Sequence, residues 1–129
     1  EKPVFDVEDM ASVMIRFDNG AVLSIEASFS LNIEKDEGKI ELFGTKAGAK
    51  LDPELTLYSQ QAGYMTNTTI ATGTALSFDG LFENEIRHFV SCVEGGTACR
   101  APAEDGVALM TILQAAYESA ASGHEVVLA

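Results

Sequence analysis

The stretch Arg16–Ser30, RFDNGAVLSIEASFS, constrains the fold more than any other part of the chain. Asp18-Asn19-Gly20 lies between two alternating runs and reads as the loop of a β-hairpin. Two registers compete. A two-residue Asn19-Gly20 turn sets Phe17 opposite Val22, and Val13, Ile15 and Phe17 then share a face with Val22, Ser24 and Glu26. Both faces of that hairpin are mixed, a poor solution for a sheet with one buried side. A three-residue loop sets Phe17 opposite Ala21. Val13, Ile15 and Phe17 then join Ala21, Leu23, Ile25, Ala27 and Phe29 on one apolar face. Such a loop wants a left-handed last residue, and Gly20 stands there. The three-residue register is therefore expected.

In that register the opposite face carries Met10, Ser12, Met14, Arg16, Val22, Ser24, Glu26 and Ser28. Antiparallel sheets tolerate a solvated face, which is the plain reading. The sharper reading is a flat surface for another copy of the chain, since methionine beside small hydroxyl side chains packs adaptably. Met10, Ser12, Met14, Val22, Ser24 and Glu26 are the expected interface residues.

Further strands are expected at Gly38–Phe43, at Ala49–Leu51 after a Gly44–Gly48 turn, and at Glu54–Tyr58 after a break at Asp52-Pro53. Residues 59–80, rich in Gln, Thr, Gly and Ser, read as a long loop with room for one short strand. Within it Tyr64, Asn67 and Thr68 could hydrogen-bond a polar substrate. Phe82, Ile86, Phe89, Val90 and Val93 then form one helical stripe, with Asp79 as cap and Gly95-Gly96 as stop. Pro102 opens a second helix, with Glu104 and Asp105 in its first turn. Leu109, Ile112, Leu113, Ala116 and Ala120 form its stripe, and Gly123 ends it. Glu125–Leu128 reads as a final strand. The fold class is α+β: an open, mainly antiparallel sheet with two main helices packed on one face and the other face free. The 129 residues fit a single domain.

Eight basic against twenty acidic residues give a net charge of -12, which opposes nucleic acid and acidic membrane surfaces. No apolar run approaches the roughly 18 residues of a membrane span. Cys92 and Cys99 form neither a C-x-x-C pair nor a bridge framework, so reduced cysteines in a cytoplasmic protein are expected. Asn67-Thr68-Thr69 fits a glycosylation pattern that has meaning only in a secreted chain. No catalytic constellation is visible. G-x-G-x-x-G, G-x-x-x-x-G-K-[ST] and G-x-S-x-G are absent, and Gly44-Thr45-Lys46-Ala47-Gly48 has the spacing of a turn rather than a phosphate cradle. His88 and His124 are too few and too separate to announce a metal site. No catalytic, cofactor-binding or metal-ligating residue is assigned.

The order of these signals resembles one known family. VEDMASVMIRFDNGAVLSIEASFS, then IELFGTKAGAKL, then FENEIRHFVSCVEGG, then APAEDGVALMTILQAAYESAASGHEVVL, resemble the C-terminal domain of the Gfo/Idh/MocA oxidoreductases. The resemblance runs from about Val7 to Leu128. It implies an α+β domain with helices on one face of a large sheet and subunit association through the other. It also implies a parent enzyme that moves hydride between NAD or NADP and a sugar, polyol or related hydroxyl compound. The family's Rossmann domain and the helix carrying its catalytic Asp and His are not in this sequence. Glu1-Lys2-Pro3 matches a triplet that in the family belongs to the Rossmann half, whereas here a strand follows within a few residues; no catalytic role passes to Lys2. The expectation is most of a C-terminal substrate and oligomerisation domain, without cofactor or catalysis of its own. Its expected partners are the missing Rossmann domain, a homo-oligomer through the open sheet face, and a small-molecule substrate in the parent. The alternative is a free-standing, non-enzymatic domain that self-associates through its sheet or binds a small polar ligand.

Overall fold

The computed structural model describes residues 7–51, 54–73 and 78–128. The Glu1-Lys2-Pro3 triplet, the Asp52-Pro53 break and Leu76 lie outside them. The architecture is α+β, with two antiparallel sheets and two helices. Strands β1 (Met10–Arg16) and β2 (Val22–Ser28) form the first sheet. Strands β3 (Ile40–Phe43), β4 (Gly48–Leu51), β5 (Leu55–Gln61) and β6 (Tyr64–Ile70) form the second, each pairing with the next in chain order. Helices α1 (Phe78–Val93) and α2 (Ala103–Ser122) follow. The chain divides into two compact units: β1, β2 and α2 belong to one, and β3–β6 with α1 to the other.

In the first unit the three-residue register holds. Val13 pairs with Ile25, Ile15 with Leu23 and Arg16 with Val22. The Phe17 N–H donates to the Ala21 carbonyl and the Gly20 N–H to the Phe17 carbonyl, each at 2.9 Å. Gly20 has φ +83°, the left-handed conformation the loop requires. Asn19 Oδ1 accepts from the Ala21 N–H at 2.9 Å, fixing the end of the loop. On β1 burial follows the same alternation, with Ala11, Val13 and Ile15 half-buried and Met10, Ser12, Met14 and Arg16 exposed, whereas all of β2 is exposed. On α2 the half-buried residues are Ile112, Ala115, Ala116 and Ser119. That stripe keeps the helical spacing but is rotated from the expected one, leaving Leu109 and Leu113 more exposed. The Tyr117 hydroxyl donates to the Glu8 carboxylate, tying α2 to the residues that lead into β1.

In the second unit β3 and β4 join through Gly44–Ala47, where the Gly44 N–H donates to the Ala47 carbonyl at 3.0 Å. A Cβ at Gly44 would meet that carbonyl oxygen at 2.7 Å, so only glycine closes this turn without a shift. Where a long loop is expected from residue 59 onward, residues 59–70 instead form a strand pair. β5 runs on to Gln61, Ala62-Gly63 turns the chain, and β6 returns with Gln61 opposite Tyr64. Ala62 (φ +49°) and Gly63 (φ +82°) both adopt the left-handed conformation of a two-residue hairpin turn. The threonines of β6 are strand residues for the usual reason: β-branching suits a pleated surface. The pairing gathers Ile40, Leu42, Leu51, Leu55, Leu57 and Ile70 on one face.

α1 begins at Phe78, so Asp79 stands inside the first turn rather than at the cap. Its end is a Schellman motif. Gly95 is left-handed (φ +77°), its N–H donates to Cys92 O and the Gly96 N–H to Ser91 O, both at 3.0 Å. At the end of α2 the Gly123 N–H donates to Ser119 O at 2.8 Å. Glu125–Leu128, expected as a strand, pairs with no strand among the described residues. No described apolar side chain is fully buried, and the stripe of α1 is exposed along its length. No described helix is long and apolar enough to cross a membrane.

Candidate functional site

Two surfaces carry the site residues singled out from sequence, and the fold adds a third. The first is the outer face of the β1–β2 hairpin. Ser12 stands opposite Glu26 and Met14 opposite Ser24, with Met10 and Val22 at the two ends of the same face. All six expected interface residues therefore share one side, because directly paired residues of an antiparallel ladder project the same way. Met14 is 76% exposed. Ser28 Oγ donates to the Asp9 carbonyl at 2.8 Å, which anchors the strand ends of this face.

The second is β6. Tyr64, Asn67 and Thr68 lie on a strand, not in a loop, and alternation separates them. Tyr64 and Thr68 share the face that holds Leu57 and Ile70, while Asn67 sits on the reverse opposite Tyr58. The three do not form one cluster. Tyr64 is 77% exposed at the turn. Between them Thr66 and Ser59 hydrogen-bond side chain to side chain at 2.8 Å, which pins the register.

The third was not visible in the sequence. His88 and Cys92, four residues apart on α1, face the same way, and Cys92 Sγ lies 3.5 Å from His88 Nε2. The Schellman turn sends the chain back past the helix end. His88 Nε2 thereby accepts the Arg100 N–H at 3.0 Å, and Cys99 comes beside both. The ligand atoms of His88, Cys92 and Cys99 all lie within 4.8 Å of one another. Desolvation raises the Cys92 thiol pKa above its usual value, and Cys99 beside it adds to the effect. The spacing H-x3-C-x6-C was on the page, but the closure depends on a turn that sequence spacing alone does not reveal. His124 is remote in sequence from this group and takes no part in it.

Two concave surfaces, both open, run along the helices: one on α2 lined by Val107, Met110, Gln114 and Leu128, the other on α1 lined by Phe82, Ile86 and Val90.

Residues 1–128 match the family model described as "Oxidoreductase family, C-terminal alpha/beta domain". The chain is 31% identical over 125 residues to D-glucoside 3-dehydrogenase of Escherichia coli K12, covering 96% of this chain and 34% of that protein. It is 27% identical over 128 residues to D-xylose 1-dehydrogenase (NADP(+)) 2 of Haloferax volcanii, covering 95% of this chain and 37% of that protein. The chain thus spans about a third of the length of the curated relatives it matches.

Proposed function

The chain belongs to the Gfo/Idh/MocA oxidoreductase family as its C-terminal alpha/beta domain, and from that premise we propose that it shapes the substrate pocket and joins subunits in a longer NAD- or NADP-dependent enzyme. The substrate of that enzyme would be a sugar, polyol or related hydroxyl compound. The observation that carries this reading is coverage: nearly all of this chain matches, yet it fills only 34% and 37% of two sugar dehydrogenases. Hydride transfer needs a dinucleotide held at a glycine-rich strand-to-helix turn, where the helix N-terminus meets the pyrophosphate. The chain has no G-x-G-x-x-G, so that task falls to a Rossmann domain elsewhere in the parent.

The roles of the chain's own residues follow from their faces. Met10, Met14 and Val22, with Ser12, Ser24 and Glu26 between them, offer a flat surface to a second copy. Tyr64 and Thr68, on one face of β6 with Thr66 between them, are the polar groups best placed to touch a hydroxylated substrate; Asn67, on the reverse, would serve only if the parent reaches that side. The apolar stripes of α1 and α2 are suited to cover the apolar sheet faces in the assembled enzyme. Two free cysteines fit a reducing, cytoplasmic setting.

The test is the gene upstream of the codon for Glu1. We expect it to encode a strand, a G-x-G-x-x-G turn and an Asp/His pair on a later helix. The full product should reduce NAD or NADP with a sugar or glucoside, and this chain alone should not. An upstream sequence without a dinucleotide fingerprint, or a full product that binds neither cofactor, would leave the free-standing domain instead.

A further inference from the structure

We propose that His88, Cys92 and Cys99 bind one zinc ion, with solvent completing the coordination. The donor set comes first. One imidazole and two thiolates are the ligands zinc favours, and three protein ligands leave one position open. Distances come next. Zinc bonds of about 2.0 Å to nitrogen and about 2.3 Å to sulfur put tetrahedral ligand atoms about 3.4–3.8 Å apart. Cys92 Sγ and His88 Nε2 already stand 3.5 Å apart. Cys99 Sγ completes a triangle with no edge longer than 4.8 Å, so a contraction of at most about 1.4 Å closes the site.

Local structure supplies the preorganisation. His88 and Cys92 are held by consecutive turns of α1, and the hydrogen bonds of Gly95 and Gly96 fix the reversal that returns Cys99. Accepting at Nε2 from the Arg100 N–H places the proton of the neutral imidazole on Nδ1. In that tautomer the lone pair is on Nε2, and an ion binding there would displace the Arg100 N–H that it now accepts. Cys99, exposed and donating to the Ala101 carbonyl at 3.3 Å, would give up that hydrogen bond on closing onto the ion. On binding, each thiol gives its proton to solvent and forms a Zn–S bond; nothing is oxidised or reduced. The ion would clip the end of α1 to the residues that follow it, in a unit where no described apolar side chain is fully buried.

The test uses the full chain, reduced with a phosphine and freed of metal, titrated with Co²⁺ as a spectroscopic stand-in and then with Zn²⁺. One equivalent of Co²⁺ should give thiolate-to-cobalt charge transfer and tetrahedral d–d bands, and Zn²⁺ should bleach both. Cys99→Ser, at an exposed position, should keep the far-ultraviolet circular dichroism and weaken binding about a hundredfold or more. His88→Gln should do the same, and Arg100→Ala should not weaken it. Absence of stoichiometric binding by the reduced wild type, or binding unchanged in Cys99→Ser, overturns the proposal. So does a chain whose two thiols only form a disulfide on oxidation and never take up metal when reduced.

Discussion

Gly20→Ala isolates the conformational requirement on which the hairpin register rests. Gly20 has φ +83°, and a Cβ built there meets nothing within 4 Å. The substitution therefore adds no collision with the rest of the chain, and its whole cost is left-handed backbone strain, about 1–2 kcal/mol. Asparagine tolerates that conformation better, so Gly20→Asn should cost less than half as much; valine, β-branched, should cost more than alanine. The Phe17 and Gly20 amides report directly, because each donates to a carbonyl across the loop at 2.9 Å. Native-state hydrogen exchange at these two amides should speed up about fivefold or more in Gly20→Ala, since 1–2 kcal/mol is a factor of about 5–30 in an opening equilibrium. The order expected is Val above Ala above Asn above wild type. Equal exchange in Gly20→Ala and wild type would refute the left-handed three-residue loop, and with it the assignment of faces.

Gly44→Ala should destabilise the β3–β4 hairpin by about 1–3 kcal/mol in urea unfolding, because its Cβ would press on the Ala47 carbonyl oxygen at 2.7 Å. Ala62→Gly should stabilise the β5–β6 hairpin by about 1 kcal/mol, since it removes the left-handed strain at φ +49°; slower amide exchange along β6 is the readout. Tyr117→Phe removes the hydroxyl whose hydrogen bond holds Glu8 below its ordinary 4.5 and lifts Tyr117 above its ordinary 10.0. A lowered carboxyl contributes stability above its unfolded value and loses it as pH falls through the folded one. A raised phenol contributes below its unfolded value and loses it as pH rises through the folded one. The stability difference between wild type and Tyr117→Phe should thus be level between pH 4.5 and 10.0 and close at both extremes.

The β1–β2 hairpin could be read from sequence because two independent signals agree there. The apolar alternation and the glycine at the third loop position select the same register. β5–β6 could not, because its turn places Ala62 where Asn or Gly is the usual signal, and because a Thr-rich strand has the composition of a loop. That misreading put Tyr64, Asn67 and Thr68 in one segment, whereas strand alternation sends Asn67 to the other face. Periodicity located α1 and α2 but could not say what covers their stripes, a property of the partner surface and not of the helix. The His88–Cys92–Cys99 group escaped for a related reason. Its third member is delivered by the Schellman turn at Gly95-Gly96, and nothing in the spacing of Cys92 and Cys99 distinguishes such a return from an open loop.

The β1–β2 hairpin, as proposed, keeps one side for its own fold and one side for a sister chain. Sedimentation equilibrium of the wild-type chain and of Met14→Lys over a wide concentration range tests it most directly. Met14 is 76% exposed, so lysine there should leave the fold intact while placing a charge in the proposed contact. Wild type should form a reversible dimer or larger assembly, and Met14→Lys a monomer with unchanged circular dichroism. A wild-type chain that stays monomeric at the highest concentration, or an assembly that Met14→Lys leaves undiminished, would contradict it.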